Sequence, residues 1–202
     1  MKILVTAFEP FNNENINSSL EVLNILPNKI LNTEILKLTL PTVRYKSLEI
    51  INKYIDSTNA EVILMLGEAG GRANISIERV AINIDDFKIK DNEGNHPTDE
   101  IIIKDGKNAY FSNLPIKKIN DAINNIDIPS NISNTAGTFV CNHIFYGVAH
   151  KIQNTDKQCG FIHIPFTPKQ VVNKNNIPSM STEISTKAII KTIEIIIENY
   201  IK

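Results

Sequence analysis

The sequence predicts an α/β fold: a single three-layer α/β/α domain over residues 1–202, built on a mainly parallel twisted sheet. Short apolar segments typical of buried strands alternate with segments of helical length along the chain. No internal repeat, linker or low-complexity tract divides the 202 residues, which is a length that suits one domain. Strands that alternate with helices favour a parallel sheet covered on both faces.

Local signals predict each element in turn. Ser18 and Glu21 have the spacing of a capping box, which predicts the start of the first helix. Pro115 suits the first turn of a later helix, where its missing N–H costs little. The predicted strands are 2–7, 34–40, 61–66 and 160–164, and residues 75–84 are predicted to be extended. The predicted helices are 18–26, 45–55, 115–123, 139–151 and 182–200.

Unusual residues follow several predicted strands. In parallel α/β sheets, binding sites collect at the carboxyl ends of the strands. Four segments occupy such positions: 8–11, 67–72, 134–137 and 163–165. The sequence therefore predicts a functional site at this edge of the sheet, although the placement does not identify a substrate.

The composition excludes several classes of partner. The formal net charge is −1, so we expect no nucleic acid and no membrane surface as a partner. No apolar run approaches the roughly 20 residues of a membrane span. The two cysteines, Cys141 and Cys159, do not make a disulfide framework, which favours a reducing, cytoplasmic environment.

Cys141 is the candidate nucleophile. A Gly-containing turn, 134–137, precedes an apolar run of helical length, and the cysteine lies near the junction. The first turn of a helix offers unpaired N–H groups and the positive end of the dipole, so it would stabilise a thiolate and an oxyanion. Most free cysteines, however, are small buried core residues, so Cys141 alone leaves a structural role open.

His163 is the first choice of base for this nucleophile, because it interrupts an apolar strand near its end. A lone histidine in a strand can equally be a hydrogen-bonded core residue. His143 lies two positions after Cys141 on the predicted helix, so its side chain points about 200° away. His150 near the helix end and His96 in a polar loop are interpreted as structural or solvated residues.

Glu78 is the candidate for orienting the base. It lies inside an apolar, β-rich segment, where a carboxylate needs a partner to justify its burial. A local ion pair with Arg72 or Arg79, or a solvent-facing strand edge, is the alternative explanation. Asp85 and Asp86 are rival orienters, although two aspartates at a strand end are more typical of a solvated turn.

We expect no cofactor and no metal. No spacing of His, Cys and Asp matches a zinc site. The glycine-rich stretch 67–71 lacks the Gly-Lys-Ser/Thr ending of a phosphate loop, and the chain has no Gly-x-Ser-x-Gly elbow.

Five ordered motifs run through most of the chain: LVTAFEPF, GEAGGR followed by IERVAINIDD, DNEGN, SNTAGTFVCNHIFYG and FIHIPFTP. In these motifs the sequence strongly resembles pyroglutamyl peptidase I, the family of cytosolic pyrrolidone-carboxylate peptidases. The resemblance implies an α/β/α fold, no cofactor and a homotetramer. It also implies a cysteine exopeptidase that removes N-terminal pyroglutamate from peptides through a thioester acyl-enzyme.

The resemblance further implies roles for individual residues. Cys141 would be the nucleophile, His163 the general base and acid, and Glu78 the third member of the triad. The main chain at Lys88 and at Cys141 would hold the oxyanion. The residues implied to contact the substrate, or to add apolar surface beside it, are Phe8, Phe11, Asn17, Glu68, Ile89 and Val140. Ordinary core packing is the alternative for the two phenylalanines.

The chain departs from the family pattern at four places. They are Asn12-Asn13 for a glycine pair, Asn17-Ser18-Ser19 for Asn-Pro-Ser, Glu68 for a glutamine and Lys88 for an arginine. A carboxylate at Glu68 could accept a hydrogen bond from a lactam N–H but could not donate one to the lactam carbonyl. These changes motivate an alternative hypothesis, a paralogue that binds pyroglutamyl peptides with little or no turnover. A nucleoside-phosphorylase-like enzyme is a third hypothesis, suggested by architecture alone.

Overall fold

The computed structural model describes residues 1–200, so the last two residues of the predicted domain 1–202 lie outside it. The strands are β1 (Lys2–Phe8), β2 (Lys29–Ile30), β3 (Thr33–Leu40), β4 (Val62–Glu68), β5 (Ile75–Glu78), β6 (Val80–Ile82), β7 (Ala109–Phe111), β8 (Ser130–Ser133) and β9 (Gln158–Ile164). The helices are α1 (Ser18–Ile25), α2 (Lys46–Thr58), α3 (Ile116–Asn124), α4 (Val140–Ile152), α5 (Pro168–Val171) and α6 (Thr182–Tyr200). None of these helices is both long and apolar enough to cross a membrane.

The main sheet is mostly parallel, as the sequence predicts. Its seven strands have the order β2-β3-β1-β4-β9-β5-β8, while β6 and β7 form a separate antiparallel pair. Strands β3, β1, β4 and β9 run parallel, so Phe8, Glu68 and Ile164 end their strands at the same edge. Strand β5 runs antiparallel to β9 and parallel to β8. The predicted extended stretch 75–84 is therefore divided between two sheets.

Helices cover both faces of the main sheet. Residues of α1, α3 and α6 pack on one face over a set of strand residues that includes Ile77 and Ile162. Residues of α2 and α4 pack on the other face, which includes Phe161. Successive strand residues point to opposite faces, so Glu78 and His163, which follow Ile77 and Ile162, point towards the face that α4 covers. Strand alternation thus places the candidate base and carboxylate on the side of Cys141.

Most predicted helix and strand boundaries lie within three residues of the observed ones. The capping-box prediction is wrong, because Asn17 is the N-cap of α1 and its Oδ1 accepts the Ser19 N–H at 3.0 Å. The solvated-turn interpretation of Asp85 is also wrong, since this side chain is fully buried in an ion pair with Arg44. The first difference is a shift of the cap by one residue, whereas the second comes from a long-range contact that a local pattern does not report.

Candidate active site

Cys141, His163 and Glu78 come together near the start of α4 and the end of β9. Cys141 is the second residue of α4, His163 lies one residue before the end of β9, and Glu78 ends β5. His163 Nδ1 lies 2.8 Å from Glu78 Oε1, and His163 and Cys141 line the same small pocket. This arrangement can take a proton from a thiol and return it to a leaving group.

A glycine makes room for the thiol. Gly67 of β4 pairs with His163 in the adjacent strand. A Cβ atom added at Gly67 would lie 2.9 Å from Cys141 Sγ and 2.6 Å from Phe161 Cζ. The sulfur therefore packs directly against the backbone of β4. A larger residue at position 67 would have to displace the sulfur and the ring of Phe161.

We expect Gly67→Ala to lower kcat/KM by about 10-fold to 100-fold, because the new methyl group displaces Sγ from its attacking position. Gly160→Ala is the matched control: its Cβ would meet Leu114 Cδ1 at 2.4 Å, in the core rather than beside the thiol. Activity per folded molecule and thermal melting should be measured for both variants. Equal losses of activity in the two would contradict the steric assignment.

Glu78 is held as a charged carboxylate by two partners. It is fully buried, and its Oε1 also accepts a hydrogen bond from Arg72 Nη1 at 2.6 Å. Burial opposes ionisation, but the hydrogen bonds from His163 and Arg72 outweigh it and keep the pKa of Glu78 below its ordinary value. The ion pair with Arg72 thus coexists with the contact to His163. Arg79 instead donates to Asn134 Oδ1 at 2.8 Å.

His163 is a neutral base at neutral pH. Burial lowers the pKa of its imidazole below 6.5, although the Glu78 carboxylate acts in the opposite direction. The hydrogen bond with ionised Glu78 assigns the proton of the neutral ring to Nδ1. The Nε2 lone pair then remains available to accept a proton.

The Cys141 thiol is protonated at neutral pH. Burial, and then the charges of Glu78 and Glu68, raise its pKa to about 12, while Arg72 acts in the opposite direction. The N–H of Cys141 at the helix start lowers this pKa, as the sequence predicts, but its effect is smaller than the opposing ones. Burial next to two carboxylates destabilises the thiolate more than the helix dipole and the neighbouring N–H groups stabilise it.

A pocket of about 110 Å³ opens beside the thiol. This volume is well below the roughly 300–1,000 Å³ of pockets for drug-sized ligands, so it suits a small ring. The lining residues are Phe8, Phe11, Asn17, Thr42, Glu68, Ala136, Phe139, Cys141 and His163. The rings of Phe11 and Phe139 lie 5.8 Å apart and supply an aromatic wall. Phe8 also belongs to the core under α4, so the packing alternative holds for it in part.

Two polar side chains in the pocket retain unused hydrogen-bonding capacity. Asn17 Oδ1 caps α1, and Asn17 Nδ2 donates one hydrogen to the carbonyl of Glu9 at 3.2 Å. Glu68 Oε2 accepts from the Ser18 N–H at 2.7 Å and from Gln170 Nε2 at 2.8 Å. Within residues 1–200, the second Asn17 N–H and Glu68 Oε1 have no hydrogen-bond partner. Burial raises the pKa of Glu68, although hydrogen bonds from Ser18 and Gln170 oppose the shift.

Lys88, Ile89 and Val140 are not among the residues that line this pocket. Lys88 and Ile89 line a neighbouring polar depression of about 570 Å³, together with Asn12 and Asn13. Val140 is fully buried at the start of α4. Their contacts with a substrate stay predictions. The Lys88 N–H donates to no acceptor within residues 1–200, so it is available to a ligand.

Several residues of the site were not predicted from the sequence. Thr42, Ala136 and Phe139 line the pocket, and only Phe139, an aromatic residue next to the helix start, offered a sequence signal. His143 bonds to Asp85 on the side of α4 away from the thiol. In the described part of the chain, no group of three or more His, Cys, Asp or Glu residues could hold a metal ion.

Comparisons with known proteins show which family this chain is similar to. The family model described as pyroglutamyl peptidase matches residues 1–199. A pyrrolidone-carboxylate peptidase of Fusobacterium nucleatum is 57% identical over 205 residues, covering 100% of this chain and 96% of the relative. One of Thermosipho africanus is 50% identical, covering 99% of this chain and 98% of the relative.

A solved structure gives the same result. The crystal structure of pyroglutamyl peptidase I from Bacillus amyloliquefaciens matches with a TM-score of 0.95 at 40% identity, covering 98% of each chain. These relatives favour the enzymatic hypothesis over a paralogue that only binds. With a family model that matches nearly its whole length, and relatives that are similar from end to end, this chain belongs to the pyroglutamyl peptidase family.

Proposed function

We propose that this protein is a cysteine exopeptidase that hydrolyses the amide bond after an N-terminal pyroglutamyl residue. The observation that carries the proposal is a small, largely apolar pocket lined by both Cys141 and His163, with His163 hydrogen-bonded to buried Glu78. Family membership supports the same activity. We propose that residues 1–202 act as one domain.

The reaction begins with proton transfer from the Cys141 thiol to His163 Nε2 while the sulfur attacks the pyroglutamyl carbonyl carbon. The N–H groups of Cys141 and Lys88 donate to the oxyanion of the tetrahedral intermediate. The intermediate collapses with cleavage of the C–N bond, and the His163 imidazolium gives its proton to the leaving amine. Water, deprotonated by His163, then attacks the thioester; pyroglutamate leaves, and the thiol regains its proton.

The pocket supplies the groups that a lactam ring needs. An N-terminal lactam carries no charged amine, so an apolar wall with few hydrogen-bonding groups suits it. The free Asn17 N–H donates to the lactam carbonyl, and Glu68 Oε1 accepts from the lactam N–H. Glu68 thus acts only as an acceptor, and Asn17 supplies the donor that a carboxylate lacks.

Release of a chromogenic amine from a pyroglutamyl amide tests the proposed activity. The matching prolyl amide, which has a charged amine in place of the lactam, is the control substrate. We expect turnover of the pyroglutamyl amide alone. Absence of amine release by protein with a reduced Cys141 would refute the proposal, and tight substrate binding without a burst of amine would favour the binding paralogue.

The raised pKa of Cys141 predicts the pH dependence of its alkylation. With a pKa of about 12, the thiolate fraction rises tenfold per pH unit across the neutral range. We expect the rate of iodoacetamide modification to rise from pH 6 to pH 9, and 2-pyrrolidone to slow it. Cys159, which is 1% exposed, is the internal control and should stay unmodified in the folded protein. A rate that is constant from pH 6 to pH 8 would show a preformed thiolate instead.

We also propose that the protein is a cytoplasmic homotetramer. The family resemblance implies this assembly, and both cysteines are free, which suits a reducing compartment. A surface groove between the turn before β8 and helix α6, lined by isoleucines such as Ile126, Ile184 and Ile190 and by charged residues, is available for contact between subunits. Light scattering on the purified protein measures its mass directly.

A further inference from the structure

A buried polar cluster lies on the side of α4 that faces away from the thiol. Asp85 and His143 are both fully buried, and Asp85 Oδ2 lies 2.8 Å from His143 Nδ1 and 3.1 Å from Arg44 Nη2. His143 Nε2 accepts the Tyr45 N–H at 3.0 Å. Because both ring nitrogens have partners, the imidazole is held in one orientation with its proton on Nδ1.

This cluster is poorly arranged for stability alone. Asp85 Oδ1 and Arg44 Nε are buried without a hydrogen-bond partner in the described residues. Tyr45, whose N–H serves His143, has φ +51° and ψ −51°, and the Lys46 N–H donates to the Arg44 carbonyl across it. Such a γ-turn with positive φ is rare and strained. Unpaired buried atoms next to a strained residue indicate that the cluster has a role in holding geometry.

The segment 85–91 begins at this cluster and is clamped to the turn that leads into α4. The Asp86 N–H donates to the Thr138 carbonyl at 3.1 Å, and Thr138 Oγ1 donates to the Asp86 carbonyl at 2.7 Å. The buried ring of Phe87 packs on Phe139, with ring centroids 4.6 Å apart. The position of the segment is therefore set relative to the first turn of α4.

The far end of the segment is tied to the same cluster. Asp91 Oδ2 accepts the Arg44 N–H at 3.0 Å, and donors from its own turn bind the rest of this carboxylate. The Arg44 side chain meanwhile pairs with Asp85 at the start of the segment. Arg44 thus holds both ends of a segment whose middle carries the free N–H of Lys88.

We propose that Asp85 and His143 are positioning residues for the hydrolysis. Through segment 85–91, the buried pair keeps the N–H of Lys88 in register with the N–H of Cys141, so that both donate to one oxyanion. This role rests on the proposed function, and it adds two residues outside the triad that set the rate of the hydrolysis. Donors stabilise an oxyanion only when they are already in place, and a misplacement of about 1 Å can cost about 100-fold in rate.

Asp85→Asn and His143→Gln test the proposal with two ligands. The aldehyde analogue of pyroglutamate reports on the oxyanion site, since the thiol sulfur adds to its carbonyl carbon and the thiol proton ends on the oxygen. 2-Pyrrolidone occupies only the lactam pocket. Asp56→Asn, which makes the same change at a surface carboxylate paired with Lys151, is the matched control.

We expect kcat to fall about 10-fold to 100-fold in both buried variants, with KM and the affinity for 2-pyrrolidone within about twofold of wild type. The affinity for the aldehyde should fall by the same factor as kcat/KM. Unchanged kcat with a lowered melting temperature would overturn the proposal, because the pair would then be structural only. A parallel loss of affinity for both ligands would also overturn it, since it would indicate a collapsed pocket.

Thr138→Val provides a second test that leaves the buried pair intact, and it decides the question if the buried variants do not fold. It removes the hydrogen bond to the Asp86 carbonyl, so we expect a loss of kcat and of aldehyde affinity without loss of 2-pyrrolidone affinity. Wild-type kcat and aldehyde affinity in Thr138→Val would overturn the proposal. Failure of the wild-type protein to cleave the substrate would instead contradict the proposed function itself.

Discussion

Replacing Cys141 with serine is expected to lower kcat/KM for a pyroglutamyl amide by about 10⁴-fold or more. The alcohol is much harder to deprotonate than the thiol, and the lowered pKa of His163 makes the imidazole a weaker base for this task. The buried, acidic surroundings that already raise the pKa of the thiol would oppose an alkoxide more strongly. Steady-state amine release measures the effect.

The Cys141→Ser protein should still bind 2-pyrrolidone with wild-type affinity, because eight other residues line the pocket. Cys159→Ala is the matched control, since this cysteine lies buried in β9 and does not line the pocket. It should change thermal stability but not activity per folded molecule. Residual activity above about 1% in Cys141→Ser would refute the assignment of the nucleophile.

Replacing Glu78 with glutamine is expected to lower kcat by about 10²- to 10⁴-fold, by analogy with other triads that lose their carboxylate. Glutamine can still accept the hydrogen bond from His163 Nδ1, so the geometry is largely kept. What is lost is the negative charge that stabilises the imidazolium formed as the thiol attacks. Arg72 also loses its ionic partner at 2.6 Å.

The pH profile separates this role from a purely structural one. The Glu78 carboxylate raises the pKa of His163 against the larger effect of burial, so its removal lowers that pKa further. His163 is active as a base only when neutral, and the acid limb of kcat/KM should therefore move to lower pH in Glu78→Gln. Glu49→Gln, at an exposed carboxylate on α2, should leave both the rate and the limb unchanged. An acid limb that moves to higher pH would contradict the assignment.

Much of the fold was predictable because its signals are local. The strand ending at Glu68 and the strand containing His163 are short and apolar, the second is followed by a proline, and the sequence predicts helix α6 with its observed bounds. The antiparallel placement of β5 was not predictable. Its direction depends on which neighbour it pairs with, and residues 75–78 carry no local signal for that choice.

The residues of the candidate site were likewise predictable from the sequence only in part. The motifs around Cys141, His163 and Glu78 carried the resemblance, and the structure places His163 and Glu78 in direct contact. The pocket also contains Thr42 and Phe139, whose sequence neighbours do not reveal that they meet the thiol. Asp85 was judged from its local sequence to be solvated, but packing against Arg44 and α4 buries it.

The sequence by itself determined the family, the class of fold and the residue types available for chemistry, because these are carried by ordered motifs and by local periodicity. Only the tertiary structure decided the protonation of those residues, because the pKa of a buried group depends on which charges and dipoles surround it. A helix start favours a thiolate at Cys141, yet burial beside Glu78 and Glu68 raises the pKa of this thiol. Likewise, only the tertiary structure brought His143 into contact with Asp85. The sequence predicts no role for this histidine, and the contact supports its proposed role as a positioning residue.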